Sequence, residues 1–322
     1  MTSGEVLDTS LGVARNLGLQ LLRVCLNPTF FCVAALDFIF GYALPQLQYT
    51  QRPDSTIGQV GEALFAVTLA VFVGGPIFLL GASYAGSIVI RLTSEFILGK
   101  PTDTESAEAA VRGRLGTIFL CGLRELFVCF GLALAGGSIL LLSGVATSLT
   151  SKDNPLAGLL AVIGGFAFAG GCLAVLVVFA NRAIMFPIVV LEEVGLREAK
   201  ARMKKLVKPA KYQPTGAGTV GTLYVVSTIA FAAIAAGVSA VLVLLDVEGI
   251  VRGWANHSML EPLLTTAVWL IPVFCAVWAL LPFWAIVLTV LYYERRIRIE
   301  GFDIEQLAEE IGRDGRTNRF NV

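Results

Sequence analysis

Six stretches of nearly uninterrupted apolar residues punctuate the chain, at roughly 28–46, 63–92, 116–148, 157–180, 219–245 and 264–292. A helix crosses the hydrocarbon of a bilayer with about 20 apolar residues, so each stretch is expected to span. The second, third and sixth exceed a perpendicular span, which predicts tilt or an extension past the hydrocarbon. Pro76 in the second and Pro272 and Pro282 in the sixth remove backbone donors and should kink their helices. Ahead of the first stretch, residues 11–27 mix Leu11, Val13, Leu17, Leu21 and Val24 with Arg15, Asn16, Gln20 and Arg23. That mixture is too polar to span and is expected to form an interfacial helix in the headgroups. The predicted organisation is an all-α integral membrane protein. Residues 1–27 form a cytoplasmic N-terminus with its interfacial helix, 28–293 a six-span domain, and 294–322 a cytoplasmic tail.

Charge supports the same division. Only Arg52, Lys152 and Arg252 lie in the loops after the first, third and fifth stretches, while 21 of the 24 basic residues fall on the other side. Basic loops stay in the cytoplasm, so both termini are expected there and the span count should be even. A missed or extra helix would scramble this asymmetry.

Composition agrees with a bilayer as solvent. Hydrophobic residues make up 56% of the chain and charged ones 15%, with mean hydropathy +0.77, whereas soluble domains carry about 25% charged residues. The formal net charge of +0 points to no nucleic-acid partner and leaves electrostatics to local clusters. No removable leader is expected, because Glu5 and Asp8 occupy the first ten residues and no apolar run follows directly. The six cysteines, Cys25, Cys32, Cys121, Cys129, Cys172 and Cys275, fall in or beside apolar stretches without a CxxC pair, as small buried apolar side chains do.

Two cytoplasmic elements are amphipathic. In 196–208, Leu196, Ala199, Met203, Leu206 and Val207 share one helical face, with Arg197, Lys200, Arg202, Lys204, Lys205 and Lys208 around it. Such a helix is expected to lie on the membrane and bind anionic headgroups; docking on tail carboxylates such as Glu309 and Glu310 is the alternative. In the tail, Asp303 and Gln306 can open a short helix that Gly312 ends, with Ile304, Leu307 and Ile311 on one face. A helix that short needs a partner for its apolar face, either this protein or another.

Two stretches carry a family resemblance: Pro187-Ile-Val-Val-Leu-Glu-Glu-Val-Gly-Leu-Arg-Glu-Ala199, and the tail sequence from Leu291 through Tyr292, Tyr293, Arg296, Arg298 and Glu300 to Gly301-Phe302-Asp303. With the span layout, they resemble the membrane domain of some bacterial glycerophosphodiester phosphodiesterases and of related stand-alone membrane proteins. Glu294 stands where that pattern carries Asp. The resemblance implies a bacterial inner-membrane domain without the family's catalytic barrel, for which this chain has no room and only one histidine.

Candidate chemistry is sparse. His257 is the only histidine, too few for a multi-histidine metal or two-histidine haem site, and no GxSxG, phosphate-binding glycine loop or HExxH is present. No cofactor and no enzymatic activity are expected. Asp37, in the middle of the first stretch, is the sharpest position, because an intramembrane carboxylate is costly. A hydrogen-bonded structural Asp satisfies the same physics. Arg124, Glu125 and Arg182 are the other intramembrane charge candidates, with snorkelling as the alternative for the arginines. The expected function is a scaffold or accessory subunit that binds lipid and other membrane proteins; a small transporter or lipid-handling permease is the alternative, motivated by Asp37 and the proline-broken helices.

Overall fold

The computed structural model describes residues 3–43, 57–149, 159–171 apart from 161 and 168, 184–207, 216–255 and 261–301. The described residues are helical and contain no strand. In chain order the helices are α1 (Ser3–Asp37), continued by a π-helical segment (Phe38–Ala43), then α2 (Ile57–Ile97), α3 (Thr104–Gly113) and α4 (Leu115–Leu149). After these come α5 (Met185–Leu191), α6 (Leu196–Val207), α7 (Gly216–Leu244), α8 (Val247–Ala255) and α9 (Glu261–Glu300). Gly4–Gly41, Thr68–Ile97, Val225–Leu244 and Leu263–Glu300 are long and apolar enough to cross a membrane, which makes this a membrane-embedded all-α protein. The third apolar stretch is helical as α4. Most of the fourth lies outside the described residues, as do Arg182, Lys208, His257 and the tail helix from Asp303.

The boundary expected near residue 27 is not a break. Val6, Ser10, Val13, Leu17, Leu21, Cys25, Thr29, Cys32 and Ala35 recur at three- and four-residue spacing and are all buried, so one continuous face runs through the polar and apolar halves of α1. Pro28, Pro76, Pro272 and Pro282 likewise sit inside unbroken helices. At 1.5 Å per residue, the 38 residues of Gly4–Gly41 and of Leu263–Glu300 each reach about 57 Å, nearly twice the roughly 30 Å of hydrocarbon.

Those lengths divide the molecule into two zones. In one, α1 and α2 run antiparallel in close contact. A Cβ on Gly81 would meet Cys32 Sγ at 2.7 Å and the Pro28 carbonyl at 2.8 Å, and one on Gly74 would meet Ile39 Cγ1 at 2.8 Å and the Ala35 carbonyl at 3.0 Å. Gly74 and Gly81, seven residues apart, thus let two backbones approach as small residues do in membrane helix pairs. Around this contact Phe30, Phe31, Phe65, Phe72, Ile77 and Leu80 are exposed. In the other zone the ends of α1, α2 and α9 gather with α3, α5 and α6 around an apolar core in which Leu21, Ile88, Leu92, Met185, Ile188, Leu206, Ile286 and Leu291 are wholly buried. Trp278, donating its indole N–H to the Leu22 carbonyl at 2.8 Å, ties α9 to α1 between the two. Helix α7 stands mostly uncovered, with Val225, Ile229, Val241, Val243 and Leu244 exposed.

Candidate functional site

The two charged motifs marked in the sequence, around Glu192 and from Leu291 to Glu300, meet in the folded zone. Helix α5 ends after Leu191 and places Glu192 against α6 and the last turns of α9. Arg202 of α6 donates Nε to Glu192 Oε1 and Oε2 at 3.2 and 3.0 Å, and Nη2 to Glu300 Oε2 at 2.7 Å. Tyr292 donates its hydroxyl to Glu192 Oε1 at 2.8 Å and accepts from Arg296 Nη1 at 3.1 Å. Arg296 also lies 5.7 Å from the centre of the Tyr292 ring, within cation–π range. Two carboxylates and two guanidinium groups thus balance in charge. The flanking Tyr293 hydroxyl pairs with Ser94 Oγ at 2.7 Å and joins α9 to α2.

Further arginines close the short helices. The last carbonyls of a helix have no partner within it. Arg114 donates Nη1 to the Val189 carbonyl at 3.2 Å and Nη2 to that of Val194 at 3.3 Å, which caps α5 and pins the following turn. Arg295 donates to the Leu206 carbonyl at 3.3 Å and does the same for α6. Within the turn, Glu193 adopts φ +54°, a left-handed conformation that a residue with a Cβ takes at a cost. Its carboxylate is held by Arg91 at 2.8 Å, and that hydrogen bond keeps its pKa below the ordinary glutamate value. Glu193→Gly and Glu193→Ala both lose the Arg91 pair, but Gly is free of the left-handed cost. Chemical unfolding should therefore find Gly about 1 kcal/mol more stable than Ala; equal stabilities would mean the turn relaxes to another backbone conformation.

The sequence candidates divide by position. Arg197, Lys200, Lys204 and Lys205 are exposed on α6, whereas Arg202 turns inward to the two carboxylates and is not part of the free basic face. The apolar face of α6 does not lie open either: Ala199, Met203 and Leu206 belong to the core. The acidic partner that α6 finds in the described tail is Glu300; Glu309 and Glu310 lie outside the described residues. Arg124, half-buried on α4, donates to Met185 Sδ at 3.9 Å, and Glu125 beside it is also half-buried. Asp37 is the last α-helical residue before the π segment. Its buried Oδ1 accepts no hydrogen bond from the described residues, and a Cβ on Gly41 would meet it at 3.3 Å, beside Leu263 and Thr266. The structure therefore does not group Asp37 with Arg124.

What the sequence did not flag is the network itself. Glu192, Tyr292, Arg296 and Glu300 are 108 positions apart at the extremes, and only their presence in the two motifs of the resemblance marked them. The interaction periodicity of a single helix gives no sign of a partner that far away. Comparison of the chain with protein-family models, with curated proteins and with solved structures finds no match.

Proposed function

We propose that this chain is a non-enzymatic, multi-pass protein of a bacterial inner membrane, a scaffold or accessory subunit that binds lipid and other membrane proteins. In this reading the zone of exposed apolar side chains lies in hydrocarbon, with six spans in all, and the folded zone projects into the cytoplasm. The preponderance of basic residues on one side supports that orientation, and the surplus length of α1 and α9 over a single bilayer supports the projection. Trp278, Arg23 and Arg112 then mark the headgroup level. The resemblance to the phosphodiesterase-associated membrane domain is part of the same proposal, favoured by the contact between the two motifs that carry it.

One observation carries the lipid-binding function. Helix α6 is fixed by its core face and by Arg202, and what it leaves outward is a cluster of bases. Arg197, Lys200, Lys204 and Lys205 are exposed on a helix already ordered by folding, so little further ordering opposes contact with an anionic surface. Each such charge near a membrane contributes about 1 kcal/mol. The uncovered α7 is the surface on which a partner helix would pack. Replacing Arg197, Lys200, Lys204 and Lys205 together by Gln should abolish the preference of the purified protein for anionic over zwitterionic nanodiscs, with an unchanged thermal midpoint because none of the four is packed. An undiminished preference would sink the assignment of lipid binding to α6. The permease alternative is favoured by one feature only, the buried Oδ1 of Asp37 at a π-helical segment, a backbone irregularity common at functional sites.

A further inference from the structure

An open-sided cavity of about 520 Å³ lies between α1 and α2, roofed by α3 and the start of α4. Its walls change character along their length. Pro28 and Phe31 of α1 and Ile77, Leu80 and Gly81 of α2 form an apolar half, and Asn27, Tyr84, Glu108 and Arg112 form a polar mouth. Gly81 supplies the floor, because the close α1–α2 approach there leaves no room for a larger residue. Next to the apolar half, the ring of the exposed Phe30 lies 6.1 Å from that of Phe31.

At the mouth, Arg112 donates Nη2 to Glu108 Oε2 at 3.1 Å and Nε to the Tyr84 hydroxyl at 3.4 Å. These contacts occupy two of its five N–H groups, and its side chain remains 69% exposed, so the guanidinium is held in place yet open to a ligand. Beside it Glu108 keeps 34% of its side-chain surface. An aliphatic trough leading to one fixed cation and one fixed anion matches an amphiphile with both charges in its head. A purely anionic headgroup would set its charge against Glu108, whereas a phosphate on Arg112 and an ammonium on Glu108 satisfy both.

We propose that this groove is a binding site for one zwitterionic phospholipid, with its phosphate on Arg112, its amine on Glu108 and one acyl chain along Phe31, Ile77 and Leu80. The site rests on the bilayer placement proposed above but is separate from the basic face of α6. It would make the protein selective for an amine lipid in the cytoplasmic leaflet, while α6 answers to anionic charge in general.

Native mass spectrometry of the full chain, extracted from nanodiscs of equal phosphatidylethanolamine and phosphatidylglycerol, tests this. The wild type should retain one phosphatidylethanolamine per chain through delipidation. Ile77→Trp, at a position already 42% exposed and therefore tolerant of size, fills the trough and should cut the retained fraction at least five-fold at an unchanged thermal midpoint. Glu108→Gln leaves Arg112 unopposed and should switch the retained lipid to phosphatidylglycerol. A Lys200→Gln, Lys204→Gln, Lys205→Gln variant should keep its phosphatidylethanolamine. Retention of phosphatidylglycerol in place of phosphatidylethanolamine by that α6 variant, or indifference to Glu108→Gln, would overturn the zwitterion assignment. Retention insensitive to Ile77→Trp would overturn the groove. No retained lipid of either kind would overturn the site together with the headgroup-level placement of Arg112.

Discussion

Arg202→Met should destabilise the purified protein by about 3 kcal/mol, with a clearly lowered thermal midpoint in detergent. Removing one member of a buried ion pair costs about 3–5 kcal/mol, because the partner is left desolvated and unpaired. Here two carboxylates lose Arg202 at once, with the Tyr292 hydroxyl left to Glu192 and Arg296 Nε at 3.4 Å left to Glu300. Glu192 and Glu300 retain only 15% and 21% of their side-chain surface, which favours the lower end of that range over the near-zero value of an exposed pair. Arg202→Lys should fall between, since an ammonium cannot present the planar fork that reaches both carboxylates at once. The charge explanation makes a further demand. Adding Glu192→Gln and Glu300→Gln to Arg202→Met should restore much of the loss, because neutral amides at those positions no longer require a cation. If the triple variant is less stable than Arg202→Met alone, the network contributes through packing and not through charge balance. A single variant within 0.5 kcal/mol of wild type would show that water reaches the carboxylates freely.

The other large effect is expected at the α1–α2 contact. Gly81→Ala should cost about 1–3 kcal/mol, the usual range for overpacking. Its Cβ would sit 2.8 Å from the Pro28 carbonyl oxygen, a backbone atom that cannot rotate away, and 2.7 Å from Cys32 Sγ. The thiol is itself engaged, donating to the Phe78 carbonyl at 3.3 Å. Relief therefore requires the helices to separate and forfeit dispersion contacts, the main attraction available to helices in lipid. Gly75, on the same helix, meets nothing within 4 Å, and Gly75→Ala should change stability by no more than about 0.5 kcal/mol. Thermal unfolding of both variants in one detergent checks the pair. Equal losses would point to helix flexibility in general and not to close approach at Gly81.

Part of the α6 pattern was legible and part misled. The three- and four-residue spacing of Ala199, Met203 and Leu206 correctly marks a helix with one apolar face. Spacing cannot say whether that face meets lipid or protein, because both are apolar. The core formed by α5 and α9 decides it. In the same way Arg114, Arg202 and Arg295 count in the sequence as three equal charges on one side. In the fold two are helix caps and one a clamp on carboxylates, roles set by carbonyls and acids that arrive from elsewhere in the chain.

What the sequence determined by itself is the class of solvent and the helical periodicity. Long apolar runs with few charges cannot be buried in a chain of this size, and backbone groups in lipid must be satisfied within their own segment, so helices follow directly. What only the tertiary structure decided is where each helix leaves the apolar zone. The α1 stretch reads as too polar to span because Arg15, Asn16 and Arg23 interrupt it, yet its buried face continues unbroken from Val6 to Ala35. A polar outer face is compatible with a bilayer surface and with a folded zone of packed helices alike. The choice falls to the ends of α2 and α9, which come from distant parts of the chain to cover the inner face.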